Sequence, residues 1–184
     1  MGREEKPAER TPFGVIEGDG KDIMGPRRHF IASFIAWGLA ACSCVTAAAA
    51  PVEWAKYQVP ESGATVDIPT SIFSYAAGEP EAGYGGRFLT SDRRADLTVQ
   101  SLANDAGLSP AAFLARKNPP PGIVYKRVTP RFFVVSSFRN AKIWYNRCNF
   151  AGRFINCVLI NYPAAEKRKW DSVVTRISNT LTSR

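Results

Sequence analysis

From residue 54 onward, apolar and polar positions alternate in short runs with a period near two. Trp54–Val59 and Ala64–Ile68, separated by Pro60-Glu61-Ser62-Gly63, predict a strand, a turn and a strand, and Pro69 ends the second. Residues 74–84, rich in Gly, Ala and Glu, predict a loop. Gly86–Thr90 and Leu97–Leu102 predict a hairpin with "SDRRAD" at its tip. Further on, Ile123–Val128, Arg131–Phe138, Lys142–Asn149 and Phe154–Tyr162 are rich in β-branched and aromatic residues. Turn residues divide them, so they predict an antiparallel meander. The period changes twice. Ser109-Pro110 before "AAFLARK" predicts a helix with Ser as N-cap and Pro in its first turn, stopped by Asn118-Pro119-Pro120-Pro121-Gly122. Near the end, Trp170, Val173, Val174, Ile177 and Leu181 form one apolar stripe at helical spacing, with Lys167, Arg168, Lys169 and Arg176 off it. A helix of that length is marginal alone and needs a sheet face to cover its stripe. The expected fold is α+β: a single, mostly antiparallel sheet flanked by two helices.

Upstream, the pattern is of another kind. Arg27, Arg28 and His29 precede the apolar run Phe30–Ala41, and small residues follow as far as Pro51. A basic start, a short apolar core and a small-residue end are the parts of an export signal. The run 30–50 has 21 uncharged residues, the length of a membrane span, but 14 of them are Ala, Gly, Ser, Thr or Cys, which suits a lipid-facing helix poorly. Two modes of cleavage stay open. Ala47-x-Ala49 offers a simple site, whereas Leu39-Ala40-Ala41-Cys42 resembles a lipobox, in which Cys42 would be lipidated and anchor the protein. Residues 1–23 carry six acids and four bases, an unusual start for a signal, and Met24 opens a more compact one. The division expected is therefore 1–50 as export signal and 51–184 as one domain, periplasmic or secreted, with a lipid anchor as the alternative.

Removing the first 50 residues changes the chemistry available. The remaining domain keeps 18 basic and 10 acidic residues, so the net charge stays at +8. The chain's one histidine, His29, leaves with the signal. Without it there is no Ser-His-Asp or Cys-His pair, no histidine metal ligand and no histidine base. Two cysteines, Cys148 and Cys157, remain, too few for a four-thiolate zinc site. The chain has no GxxxxGK[ST] or GxGxxG, and Gly83-Tyr84-Gly85-Gly86 reads as a bend entering a strand. No cofactor is expected. A pair of carboxylates doing acid–base work is the catalytic alternative that survives, although Asp92 and Asp96 only flank a turn.

"VEWAKYQVPESGATVDIP", "GYGGRFLTSDRRADLTV", "RFFVVSSFRNAKIWY" and "VLINYPAAEKRKWDSVVTRISNTL" together resemble a group of small exported alphaproteobacterial proteins of unknown function. That group shares a W-x-x-Y start, an S-D-G-R-A turn and a terminal Y-P…D-x-V-x-x-I helix. Arg93 stands where the turn's Gly usually is, and Ser137 where Gly often follows "VVS". The layout also resembles the PsbP-like fold, whose members are mostly non-catalytic accessory or assembly proteins. The resemblance implies that kind of role and defines no functional residues.

Charge sharpens the picture. Residues 106–165 contain no acid and nine bases. Arg127, Arg131, Arg139, Lys142, Arg147 and Arg153 are the candidate anion-binding residues, for lipid headgroups, an acidic envelope polymer or an acidic protein patch. Nucleic acid is not expected of an exported chain without an aromatic-flanked recognition motif. The leading expectation is a non-catalytic envelope binding or accessory module. The alternative is a carboxylate-dependent hydrolase of envelope material. An acid-free basic groove favours the first, and a cleft with two facing acids the second. Finally, "CNFAGRFINC" reads as one hairpin. A turn centred between Gly152 and Arg153 sets Cys148 directly opposite Cys157, close enough to bridge in an oxidising compartment.

Overall fold

The computed structural model describes residues 51–183; the segment expected to be an export signal, with Cys42 and Met24, lies outside them. β1 (Trp54–Gln58) and β2 (Thr65–Pro69) pair as a ribbon of their own. A short β3 (Tyr75–Ala76) lies within the stretch expected to be loop, followed by β4 (Tyr84–Leu89) and β5 (Asp96–Ala103). Helix α1 (Pro110–Lys117) comes next. Then come β6 (Gly122–Val128), β7 (Phe132–Arg139), β8 (Lys142–Ala151) and β9 (Phe154–Pro163). A 3-10 turn, Ala164–Glu166, leads into α2 (Lys167–Thr180). The main sheet has seven antiparallel strands in the order β3-β4-β5-β9-β8-β7-β6.

The α+β expectation holds, with one correction: the first two strands stand apart from the single sheet expected. Alternation says that Val66 and Ile68 point inward, but not what they meet. They join the core under α2 instead of extending an edge of the large sheet.

Both helices form for the reasons visible in the sequence. The Ser109 hydroxyl accepts the Ala112 N–H at 3.2 Å, and Pro110 opens α1. Asn118 closes it in the left-handed conformation, φ 46°. The stripe on α2 is buried along its length. It packs with Val158, Ile160 and Tyr162 of β9, and Tyr162 stacks on Trp170 at 5.3 Å. Ile155 and Cys157 of the same strand belong to a second core, with Leu114 of α1 and Phe133 of β7. Successive residues of a strand face opposite sides, so α1 and α2 lie on opposite faces of the sheet.

The glycines entering β4 have a packing reason. Gly85 has φ 138°, and a Cβ there would lie 2.1 Å from the Val99 carbonyl oxygen on β5. Only glycine permits that approach.

A cleft between the sheet edge and the second helix

Helix α2 packs over β2 and β9, leaving the β6–β7 side of its face less covered. The strand register decides what that opening contains. Arg127 pairs with Val134, and Val134 pairs with Arg147. One step along, Tyr125 pairs with Ser136, and Ser136 with Tyr145. Two rows therefore cross three strands, Arg–Val–Arg beside Tyr–Ser–Tyr. Small residues on β7 form the floor and long ones on β6 and β8 form the walls. Strand spacing puts the wall Cα atoms roughly 9–10 Å apart. The result is a cleft of about 310 Å³, closed at one side by Thr175, Ser178 and Asn179 of α2.

Both guanidinium groups approach the ring of Phe132, at 5.4 Å for Arg127 and 5.0 Å for Arg147. A ring face attracts such cations and holds their charge in place. Arg147 is fixed further: its Nε donates to Asn149 Oδ1 at 3.2 Å and its Nη1 to Ser178 Oγ at 3.4 Å. A guanidinium has five N–H donors, so others stay available to a ligand. The Tyr145 hydroxyl donates to Ser178 Oγ at 2.5 Å. Burial raises the Tyr145 hydroxyl above its ordinary range, against the opposing pulls of Ser178 and Arg147, so it stays neutral. No acidic side chain lines the cleft, and the ion pairs among the described residues lie elsewhere.

Of the six candidate basic residues, the structure brings two together here. The other four sit in hairpin turns or at strand ends. Arg139 and Lys142 flank the β7–β8 turn. Arg131 and Arg153 lie at the other end of the sheet, near the β6–β7 and β8–β9 turns. The two ends of β8 are roughly 30 Å apart at the rise of a strand. Tyr125, Phe132, Tyr145 and Ser178 were not among the candidates. A signal for the tyrosines was present: "YKR" at 125–127 and "YNR" at 145–147 are the same Y-x-R spacing, and a period of two puts each pair on one face.

A second cavity, of about 240 Å³, contains two carboxylates, Asp92 and Glu166. Arg94 pairs with both. The Asp92 carboxyl is held below its ordinary range, first by the Thr90 hydroxyl and then by the Arg94 backbone N–H. A general acid needs a shift in the other direction. Asp96 instead accepts a 2.7 Å hydrogen bond from the Asn161 amide across β5–β9. Among the described residues no three of His, Cys, Asp and Glu gather as a metal site requires, and no helix is long and apolar enough to cross a membrane.

The expected cysteine register is present. Cys148 and Cys157 are direct cross-strand partners, fully buried, with sulfurs at disulfide distance and Cα atoms 4.1 Å apart.

No family model matches the chain, and no curated protein matches its sequence. Its backbone is similar to solved structures. One is the solution structure of cyanobacterial PsbP (CyanoP) from Synechocystis sp. PCC 6803, with a TM-score of 0.55 and 7% identity, covering 79% of this chain and 99% of that chain. The fold is PsbP-like.

Proposed function

We propose that residues 51–184 form a non-catalytic exported module that holds an anionic group of an envelope partner in the Arg127/Arg147 cleft. The observation that carries this reading is the acid-free cleft, with two arginines set over one aromatic ring on a prearranged strand register. Carboxylate and phosphate both suit paired guanidinium groups. The hydrolase alternative has less support, because the carboxylates that share a cavity are tied to one arginine.

The test is binding of the chain, as its host processes it, to polyglutamate, to phosphatidylglycerol vesicles and to inorganic phosphate. Binding should weaken with salt, since exposed charges are screened within about 8 Å at physiological ionic strength. Substituting Arg127→Gln and Arg147→Gln together should cost roughly tenfold or more in affinity. Substituting Arg139→Gln, Lys142→Gln and Arg153→Gln together should cost less. If the triple change costs more, diffuse charge and not the cleft does the binding.

A further inference from the structure

The two edges of the sheet are treated differently. At one edge β3 is two residues long, which leaves little backbone to pair. At the other, β6 is seven residues long and exposed at every position. Ile123, Val124, Tyr125 and Val128 of this strand are exposed large apolar residues, and so is Phe138 across from Gly122. Left uncovered by the other described residues, an edge of this kind presents unpaired N–H and C=O groups to any extended chain. The protections it has are a bulge between Ile123 and Tyr125 and the two charges Lys126 and Arg127. Those charges also select a partner. Nothing acidic lies on β6, β7, β8 or β9, so a second copy of this edge brings positive charge to positive charge. An acidic strand brings the opposite sign.

We infer that β6 is a docking edge for an extended acidic segment of a partner protein, which adds as an eighth strand and places a carboxylate beside Arg127 at the mouth of the cleft. This rests on the anion-binding reading above and names its partner. The geometry is consistent along the strand. Tyr125 and Arg127 pair with Ser136 and Val134 on the cleft face, whereas Ile123, Lys126 and Val128 pair with Ser137, Val135 and Phe133 on the opposite face, where Lys126 lies between the two apolar residues. A chain alternating acidic and apolar residues meets both requirements at once. Its acids lie beside Arg127 and Tyr125, and its apolar residues beside Ile123 and Val128. Main-chain hydrogen bonds supply affinity, and the alternate side chains supply selection.

The probe is a peptide of seven alternating Glu and Val residues, the length of β6. It is compared with the same peptide N-methylated at alternate residues, with a Gln/Val counterpart and with inorganic phosphate. Affinity and amide exchange at β6 are measured on the chain as its host processes it, on its Arg147→Gln variant, and alongside sedimentation. The expected result is that Glu/Val binding slows exchange in β6, and that N-methylation and the Glu-to-Gln change each weaken it at least roughly tenfold. Equal binding of the parent and N-methylated peptides overturns strand addition. If that binding still depends on Arg147, the cleft reading survives. Sensitivity to N-methylation with equal Glu/Val and Gln/Val binding overturns the acidic partner, and the cleft reading falls with it only if phosphate also fails to bind. Phosphate binding without peptide binding overturns this inference alone. Self-association that slows β6 exchange and resists the peptide assigns the edge to a second copy and overturns it too.

Discussion

Arg93 sits in the hairpin tip with φ 56°, a conformation that favours glycine. Its guanidinium lies 5.7 Å from the centre of the Tyr75 ring, an exposed contact of small worth. Arg93→Gly should therefore keep or slightly raise the melting temperature. Arg93→Val, β-branched at positive φ, should lower stability by about 1 kcal/mol or more. A thermal melt of the two variants checks both. Tyr162 gives a pH signature. Burial, with the Asp171 charge and Tyr145 adding, pushes its hydroxyl up to about 12 from an ordinary 10.0. The folded state thus holds this proton more tightly than the unfolded chain. Its stabilising contribution is complete below pH 10.0 and is lost as pH rises from there to about 12. Urea midpoints across that range should fall more steeply for the native chain than for Tyr162→Phe.

At the scale of elements, the β8–β9 hairpin joins most of the molecule, because it lies at the centre of the sheet and contributes to both cores. Its two-residue turn, Gly152-Arg153, makes Ala151 and Phe154 partners and fixes Cys148 opposite Cys157. Closing so short a loop contributes roughly 2.5–3 kcal/mol in the chain-entropy model, less any strain. That is a large share of a domain's net stability. Reductant should lower the melting temperature of the oxidised protein. The Cys148→Ser, Cys157→Ser double variant should melt low with or without reductant. Two alkylatable thiols in protein purified from the envelope under non-reducing conditions would refute the bridge. Helix α2 should respond to truncation in a similar range. Ile177 is fully buried on its stripe, and Ile177→Ala should cost about 2–5 kcal/mol, read from denaturant midpoints.

For the whole molecule, the proposal depends on where the protein works. Export predicts a chain beginning at Ala50 after simple cleavage, or at a lipidated Cys42. N-terminal sequencing and mass measurement of the envelope form distinguish the two. Recovery of the intact chain from the cytosol would overturn export, and with it the oxidising environment invoked for Cys148 and Cys157. The cleft and the β6 edge adjoin on one side of the sheet, whereas the paired carboxylates sit in a separate cavity around Arg94. Two arginines of the basic surplus thus lie where an anionic partner would also meet open backbone.

The sequence determined the elements because their signals are local. Ser109-Pro110 starts α1, the stripe from Trp170 defines α2, and the turn residues divide four strands of the meander. The disulfide register was also legible, since a hairpin is a local structure whose turn fixes every pair along it. What sequence did not determine was distance between elements. Nothing along the chain says that β5 pairs with β9, that β1 and β2 form their own ribbon, or that Arg127 and Arg147 flank one valine. The acid-free stretch gave one basic surplus, and only the sheet decided that hairpin turns carry part of it to opposite ends while two arginines share a cleft. Partners across strands follow from the packing of both faces against α1 and α2. That packing depends on the whole core and not on any one segment.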